Sequence, residues 1–430
     1  MGDDIKNDSE DGNSPFEDIK RQFNDIFGSS AGKFSFMPML VEGKSTAQGQ
    51  GDTKEEDENA KFVEKIRAFN LKPREIKDYL DRFVIKQREA KKVLAVAICD
   101  HYNHVKQSLN DKNAKGKEYN KQNVLLLGPT GVGKTYLIKN IAKLIGVPFV
   151  KVDATKFSET GYVGSDVDDM IRDLVKSANG NANMAQYGIV FIDEIDKIAT
   201  SVGLEGRDIS GRGVQINLLK LMEESDVSLF SQTDVMAQIK AAMSMGNDRK
   251  HTTVNTKHIL FIASGAFDKL TDIVKTRIGA RSIGFNSQNS RKTDDSYEFL
   301  KQASTADFIK FGFEPEFIGR LPVRVACESL NASDLRDILT SSEGSILKQY
   351  VDDFAGYNIG LSVSDDAIWE IAQLASEEKT GARGLLTVLE RLFRDFKFEL
   401  PSTNVSKLEI TKACVGNPES ELEKILKQCT

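Results

Sequence analysis

One octapeptide limits the folds open to this chain of 430 residues. Gly128-Pro129-Thr130-Gly131-Val132-Gly133-Lys134-Thr135 fits GxxxxGK[ST], and the apolar run Val124–Leu127 stands directly before it. A strand that breaks into a glycine-rich turn and re-enters as a helix belongs in a parallel α/β sheet. Such glycines let successive backbone N–H groups turn inward around phosphate oxygens, and the helix N-terminus adds its dipole. Lys134 then reaches the β- and γ-phosphates, the Thr135 hydroxyl ligates Mg²⁺, and Tyr136 follows at the same site. The bland alternative is a glycine-rich turn without a ligand.

A second motif completes the first. Ile189-Val190-Phe191-Ile192 is an apolar run that ends in Asp193-Glu194, about 60 residues after the loop. A buried strand delivers these carboxylates to its C-terminal end, where ligands sit in open α/β sheets. Asp193 is placed to hold Mg²⁺, directly or through water. Glu194 is placed to orient and polarise an attacking water. Together the motifs imply ATP hydrolysis rather than dinucleotide binding. Around them runs an α/β rhythm: strands at 124–127, 148–152, 189–192 and 258–263, with helices from 134, around 165–177 and at 213–223. Helices at 74–83 and 87–109 precede it. After about residue 328 the pattern turns mainly helical, with one late strand at 407–411.

Composition excludes several classes. Hydrophobic residues make up 40% and charged residues 28%, which supports a real core. No run approaches the ~18 apolar residues of a membrane helix. The start, Met1-Gly2-Asp3-Asp4, is acidic, unlike a secretory or mitochondrial leader, so a cytoplasmic protein is expected. Cys99, Cys327, Cys414 and Cys429 are too far apart for a disulfide framework or a cysteine zinc site. The net charge of −6 is uneven: residues 1–60 hold 14 acids and 6 bases, and the rest is nearly neutral. A near-neutral body lacks the basic face of a dedicated nucleic-acid binder, so no nucleic acid and no membrane are expected as partners.

The chain divides into three segments. Residues 1–61 are acidic and expected to be largely disordered, with 28–60 too poor in apolar residues to offset chain entropy. A short helix is expected at 15–27, where Ser14-Pro15-Phe16-Glu17 supplies a cap and Phe16, Ile19, Phe23, Ile26 and Phe27 share a face. Two readings of it are open: docking in a partner groove, or lying on the protein's own body. Residues 62–327 form the α/β nucleotide-binding part, and 328–430 a small, mainly helical domain.

Over about 72–415 the chain resembles the ClpX family of AAA+ unfoldases, the ATPase partners of the ClpP peptidase, with the HslU family second. Val84-Ile85-Lys86-Gln87 with Ala90 to Ala97 resembles the family's entry to the base-binding helix, though Lys86 stands where the family usually has Gly. Gly161-Tyr162-Val163-Gly164 is similar to the aromatic pore loop, and Arg207 to Gln215 to the second pore loop. Phe313–Val323 is similar to the arginine-finger segment and Gly381-Ala382-Arg383-Gly384 to sensor 2. The resemblance implies that Arg320 acts from the neighbouring subunit, which requires a ring, taken as a homohexamer. It implies that Arg383 contacts the γ-phosphate within its own subunit, and that Ser264, at the end of its strand, is sensor 1. Tyr162 and Val163 would grip protein substrates, with Arg249-Lys250-His251 at the pore entrance. Ile283-Gly284-Phe285 matches the tripeptide that docks into a ClpP-like peptidase.

The chain also departs from the family pattern. The zinc-binding N-terminal domain has no counterpart, Arg212 stands where an acid is usual, and Ser225–Asp248 is longer. The tail Ile425–Thr430 is unlike the HslU docking tail. The expected function is an ATP-dependent unfoldase and translocase that threads polypeptides through a central pore into a peptidase. A remodelling chaperone without a peptidase is the first rival, and a nucleic-acid motor ATPase the second.

Overall fold

The computed structural model describes residues 49–110, 120–158, 165–199, 209–229, 253–281 and 296–428. The expected helix at 15–27, Tyr162 and Val163, Arg249 to His251 and Ile283 to Phe285 lie outside these residues. The chain divides into two units, Met1–Glu55 and Glu56–Thr430, and among the described residues the second contains every strand and three hydrophobic cores.

Seven strands open the fold: β1 (Val124–Leu127), β2 (Phe149–Asp153), β3 (Ile189–Asp193), β4 (Asp226–Ser228), β5 (Thr253–Asn255), β6 (Leu260–Gly265) and β7 (Val323–Ala326). Five form one parallel sheet in the order β2-β3-β6-β1-β7. All four residues of β1 are buried, as a strand covered on both faces requires. Alternation sorts them between two cores. Leu125 and Leu127 join Val190, Ile192, Phe261 and Ala263 against the helices Asp169–Ser177, Ile209–Glu223 and Asp268–Arg281. Val124 and Leu126 join Ile189, Phe191 and Ile262 against Pro73–Phe83, Arg88–Asn110 and Lys134–Ile145. Each fully buried Leu or Val contributes roughly 1.5–3 kcal/mol, so a polar substitution at Leu125 weakens the first core and one at Leu126 the second.

A third core draws only on residues 335–422. Its helices, among them Ala332–Thr340, Asp365–Glu377 and Ala382–Glu399, pack on a parallel pair, β8 (Gly360–Val363) and β9 (Lys407–Ile410). The late strand expected at 407–411 therefore has a partner that pattern reading misses, because Leu361 is the one buried residue of β8. Residues 82–87 and 342–345 are stitched across the boundary between this part and the rest. Arg82 holds Glu343 with two bonds of 2.6 and 3.0 Å, and the Ser342 hydroxyl donates to the Phe83 carbonyl at 2.8 Å. Lys86 and Gln87 both adopt left-handed backbone, at φ 61° and 54°. That conformation costs a non-glycine residue roughly 1–2 kcal/mol. Here Lys86 offsets the cost by donating to Asp334 Oδ2 at 2.8 Å and the Ser329 carbonyl at 2.7 Å.

Two further expectations are corrected. The helix Gly49–Arg67 begins inside the stretch expected to be disordered. Composition measures what a segment can bury by itself; this helix is anchored further along, where Phe62 and Ile66 enter the second core. β6 runs two residues beyond the expected end, so Ser264 lies within it rather than after it. The long segment after Ser225 leaves and returns through the antiparallel pair β4–β5, with 230–252 outside the described residues. Among the described residues no helix is long and apolar enough to cross a membrane.

Candidate nucleotide site

The register of the sheet gathers the site. Leu127 pairs with Gly265, Ile192 with Ala263 and Asp153 with Asp193, so β1, β2, β3 and β6 end close to one level. From β1 the chain turns at Gly128, with φ 137°, because a Cβ there would lie 2.7 Å from the Cys327 carbonyl oxygen. At Gly131, with φ 76°, a Cβ would lie 2.0 Å from the Thr380 carbonyl oxygen. The loop then enters the helix Lys134–Ile145. A cavity of about 550 Å³ opens above it.

That cavity is lined by Thr130 to Thr135 and Tyr136, by Asp193 and Glu194, and by Arg383. Val84, Ile85, Ile338, Ile346 and Leu385 give it an apolar wall suited to a flat base. Lys134 is buried and its ammonium donates to the carbonyls of Gly128 at 2.5 Å and Pro129 at 2.9 Å. Burial pushes its pKa down, while Cys327, Asp193 and Asp196 pull it back up. Asp193 is pushed up by burial but held below the usual carboxylate range by Lys151, at 2.8 Å, and by the Ser264 hydroxyl, at 2.6 Å. It is therefore an anion at neutral pH. Glu194 leaves the strand in left-handed backbone at φ 57° and is exposed on the cavity. Arg383 stands at the second position of the helix Ala382–Glu399, and the Ala382 N–H donates to the Gly131 carbonyl at 2.9 Å.

Arg320 is not brought into this cavity. Its carbonyl accepts from Asn123 Nδ2 at 3.0 Å, at the opposite end of β1, about 16 Å from Gly128 at ~3.3 Å per strand residue. Its guanidinium pairs with Glu223 at 2.5 Å on the surface. Arg212 pairs with Glu314 at 3.0 Å beside the same segment. Three participants escape sequence reasoning. Lys151 and Gly265 carry no local signature. Asp196 stands two residues after Glu194, and that spacing alone is the available signal.

Hard oxygen donors converge here, from Thr135 and Asp193, and Asp196 Oδ1 is buried without a hydrogen-bond partner. Among the described residues no three acids, His or Cys are grouped tightly enough to hold a metal alone. That fits Mg²⁺, which takes one or two protein oxygens and completes its shell with phosphates and water.

Comparison with known proteins agrees with this geometry. The model of the AAA domain family (Cdc48 subfamily) matches residues 119–324. The ATP-dependent Clp protease ATP-binding subunit ClpX of Treponema denticola is 42% identical over 359 residues, covering 81% of this chain and 82% of the relative. The ClpX subunits of Borrelia duttonii and Borrelia recurrentis are each 42% identical over 356 residues, 81% of this chain and 79% of theirs. The chain belongs to the ClpX family. Like the AAA domain it contains, this ClpX-family chain binds nucleotide and is an ATPase, built on the AAA+ α/β fold.

Proposed function

We propose that this chain is an ATP-dependent protein unfoldase and translocase, a homohexameric cytoplasmic ring that threads substrate polypeptides into a ClpP-like peptidase. One observation carries the ring. The cavity holds Lys134, Asp193, Glu194 and Arg383, whereas Arg320 lies at the far end of β1. An arginine needed for charge stabilisation but unable to reach its own site must act on a neighbour's. The residues divide the work. The P-loop amides and Lys134 bind the phosphates, Thr135 and Asp193 hold Mg²⁺, and Glu194 orients water and takes up its proton. When bound, the cation supplies neutralisation of phosphate charge. Ser264 orients Asp193 as sensor 1, and Arg383 ties the angle of the small domain, 328–430, to the nucleotide bound on 62–327. Tyr162 and Val163 grip the substrate, Arg249, Lys250 and His251 attract its acidic groups, and Ile283-Gly284-Phe285 docks the peptidase. The relatives, ATP-binding subunits of an ATP-dependent Clp protease, support the last step.

The test is degradation of a tagged fluorescent protein by this chain with a ClpP-type peptidase and ATP. Phe285→Ala is expected to abolish peptide release and spare ATP-dependent loss of fluorescence. Unfolding without peptides in the wild type would favour a stand-alone remodelling chaperone. Brisk ATP hydrolysis without unfolding would overturn the reading.

A further inference from the structure

We propose that Asp196 is a positioning residue of the nucleotide site, its Oδ1 accepting a hydrogen bond from a water of the cation–phosphate complex. The inference rests on the nucleotide-site reading above and adds a third carboxylate to it. After Glu194 the chain makes the 3₁₀ turn Ile195–Ile198, which brings Asp196 back against the end of β6. The Asp196 side chain is 6% exposed, and its Oδ2 faces Lys197 Nζ at 3.5 Å. Oδ1 has no hydrogen-bond partner, yet Asp196 lines the cavity beside Thr135, Asp193 and Glu194. A buried carboxylate oxygen without a donor is costly, so a donor that arrives with the ligand explains why the group is kept there.

The opposite wall is shaped for it. A Cβ at Gly265 would lie 2.4 Å from Asp196 Oδ1 and 2.7 Å from Phe267 Cε2. Gly265 has ordinary negative backbone geometry, so the space, not the conformation, requires glycine. Phe267, at φ 61°, turns the chain away just after this point. Asp196 also acts electrostatically on Lys134, as Asp193 does. With Thr135 and Asp193 assigned to hold the cation directly, Asp196 takes a place one shell further out and acts through water.

Binding of a fluorescent ATP analogue to the full chain, titrated with Mg²⁺ from an EDTA baseline, tests this. Asp196→Ala should leave the affinity in EDTA within about twofold and raise the Mg²⁺ concentration for half-effect about tenfold, the usual scale for outer-shell partners. Asp196→Asn, whose amide oxygen still accepts, should fall between. Gly265→Ala displaces the carboxylate without removing it and should shift the Mg²⁺ midpoint in the same direction; it decides the matter if Asp196→Ala does not fold. An unchanged midpoint in a folded variant, or an equal loss of affinity in EDTA, overturns the proposal. A wild-type chain with no Mg²⁺-dependent binding would instead overturn the reading on which it rests.

Discussion

The two ends of the central sheet hold similar residues and use them differently. At the C-terminal end, Lys134, Asp193 and Glu194 border a cavity, and Asp196 keeps an oxygen without a partner. At the N-terminal end most polar groups are spent on backbone; the exception is His101 Nδ1, which is buried without a partner but is not among the residues lining the nucleotide cavity. Asn123 donates to the Arg320 carbonyl and accepts from the Phe261 N–H at 3.3 Å. Lys121 donates to the Thr256 carbonyl at 2.8 Å and lies over the Phe261 ring. His101 Nε2 is 3.0 Å from the His258 carbonyl, and the His258 ring stacks on Tyr187. Burial pushes Lys121 down to about 7, His258 to about 4 and His101 to about 3. Strongly shifted groups thus sit at the structural end as well. What distinguishes the chemical end is unspent hydrogen-bonding capacity facing a cavity, not the size of a shift.

The largest effect expected from breaking this contrast is at Arg320, whose backbone belongs to one end and whose proposed function belongs to a neighbour's other end. Arg320→Ala should lower ATP hydrolysis about a thousandfold with nucleotide binding retained. Mixing it with Glu194→Gln chains should restore part of the activity in a phosphate-release assay, because some interfaces then pair an intact Arg320 with an intact Glu194. No recovery would place Arg320 on the structural side of the contrast. Asn123→Ala should do the reverse, costing about 1–3 kcal/mol in denaturant unfolding while leaving nucleotide affinity unchanged. The smallest effect concerns pH. His101 and His258 are held neutral when folded but titrate near 6.5 when unfolded, so the unfolded chain binds more protons below that value. Stability should be full above pH 6.5 and fall as pH drops toward 4. Thermal melts of His258→Phe, which keeps the stack on Tyr187, should show a flatter profile over that window.

The C-terminal end is the legible one. Gly128 to Thr135 and Asp193-Glu194 are contiguous motifs, and their chemistry follows from residue type and spacing. The apolar runs of β1 and β3 also foretell a sheet covered on both faces. The rest depends on pairs remote in sequence. Nothing local links Lys151 to Asp193, Gly265 to Asp196, or Lys86 to Asp334 across 248 positions. β8 is invisible for the same reason: a four-residue strand with one buried residue is defined by its partner 47 positions later. The helix starting at Gly49 escapes composition because its anchor, Phe62 and Ile66, lies beyond the acidic segment.

The bond from Ala382 to Gly131 makes the phosphate loop a fulcrum. The helix that begins there has 18 residues, a rigid arm about 27 Å long. A tilt of about 10° at Ala382 would sweep its far end, at Glu399, through about 5 Å. Gly131 is packed so closely on Thr380 that a Cβ there would lie 2.0 Å from the Thr380 carbonyl oxygen, so the loop and the start of this helix move together. With Arg82–Glu343 and Ser342–Phe83 holding the same boundary from residues 82–83, the phosphate loop is one of several fixed points about which a whole helical layer can turn.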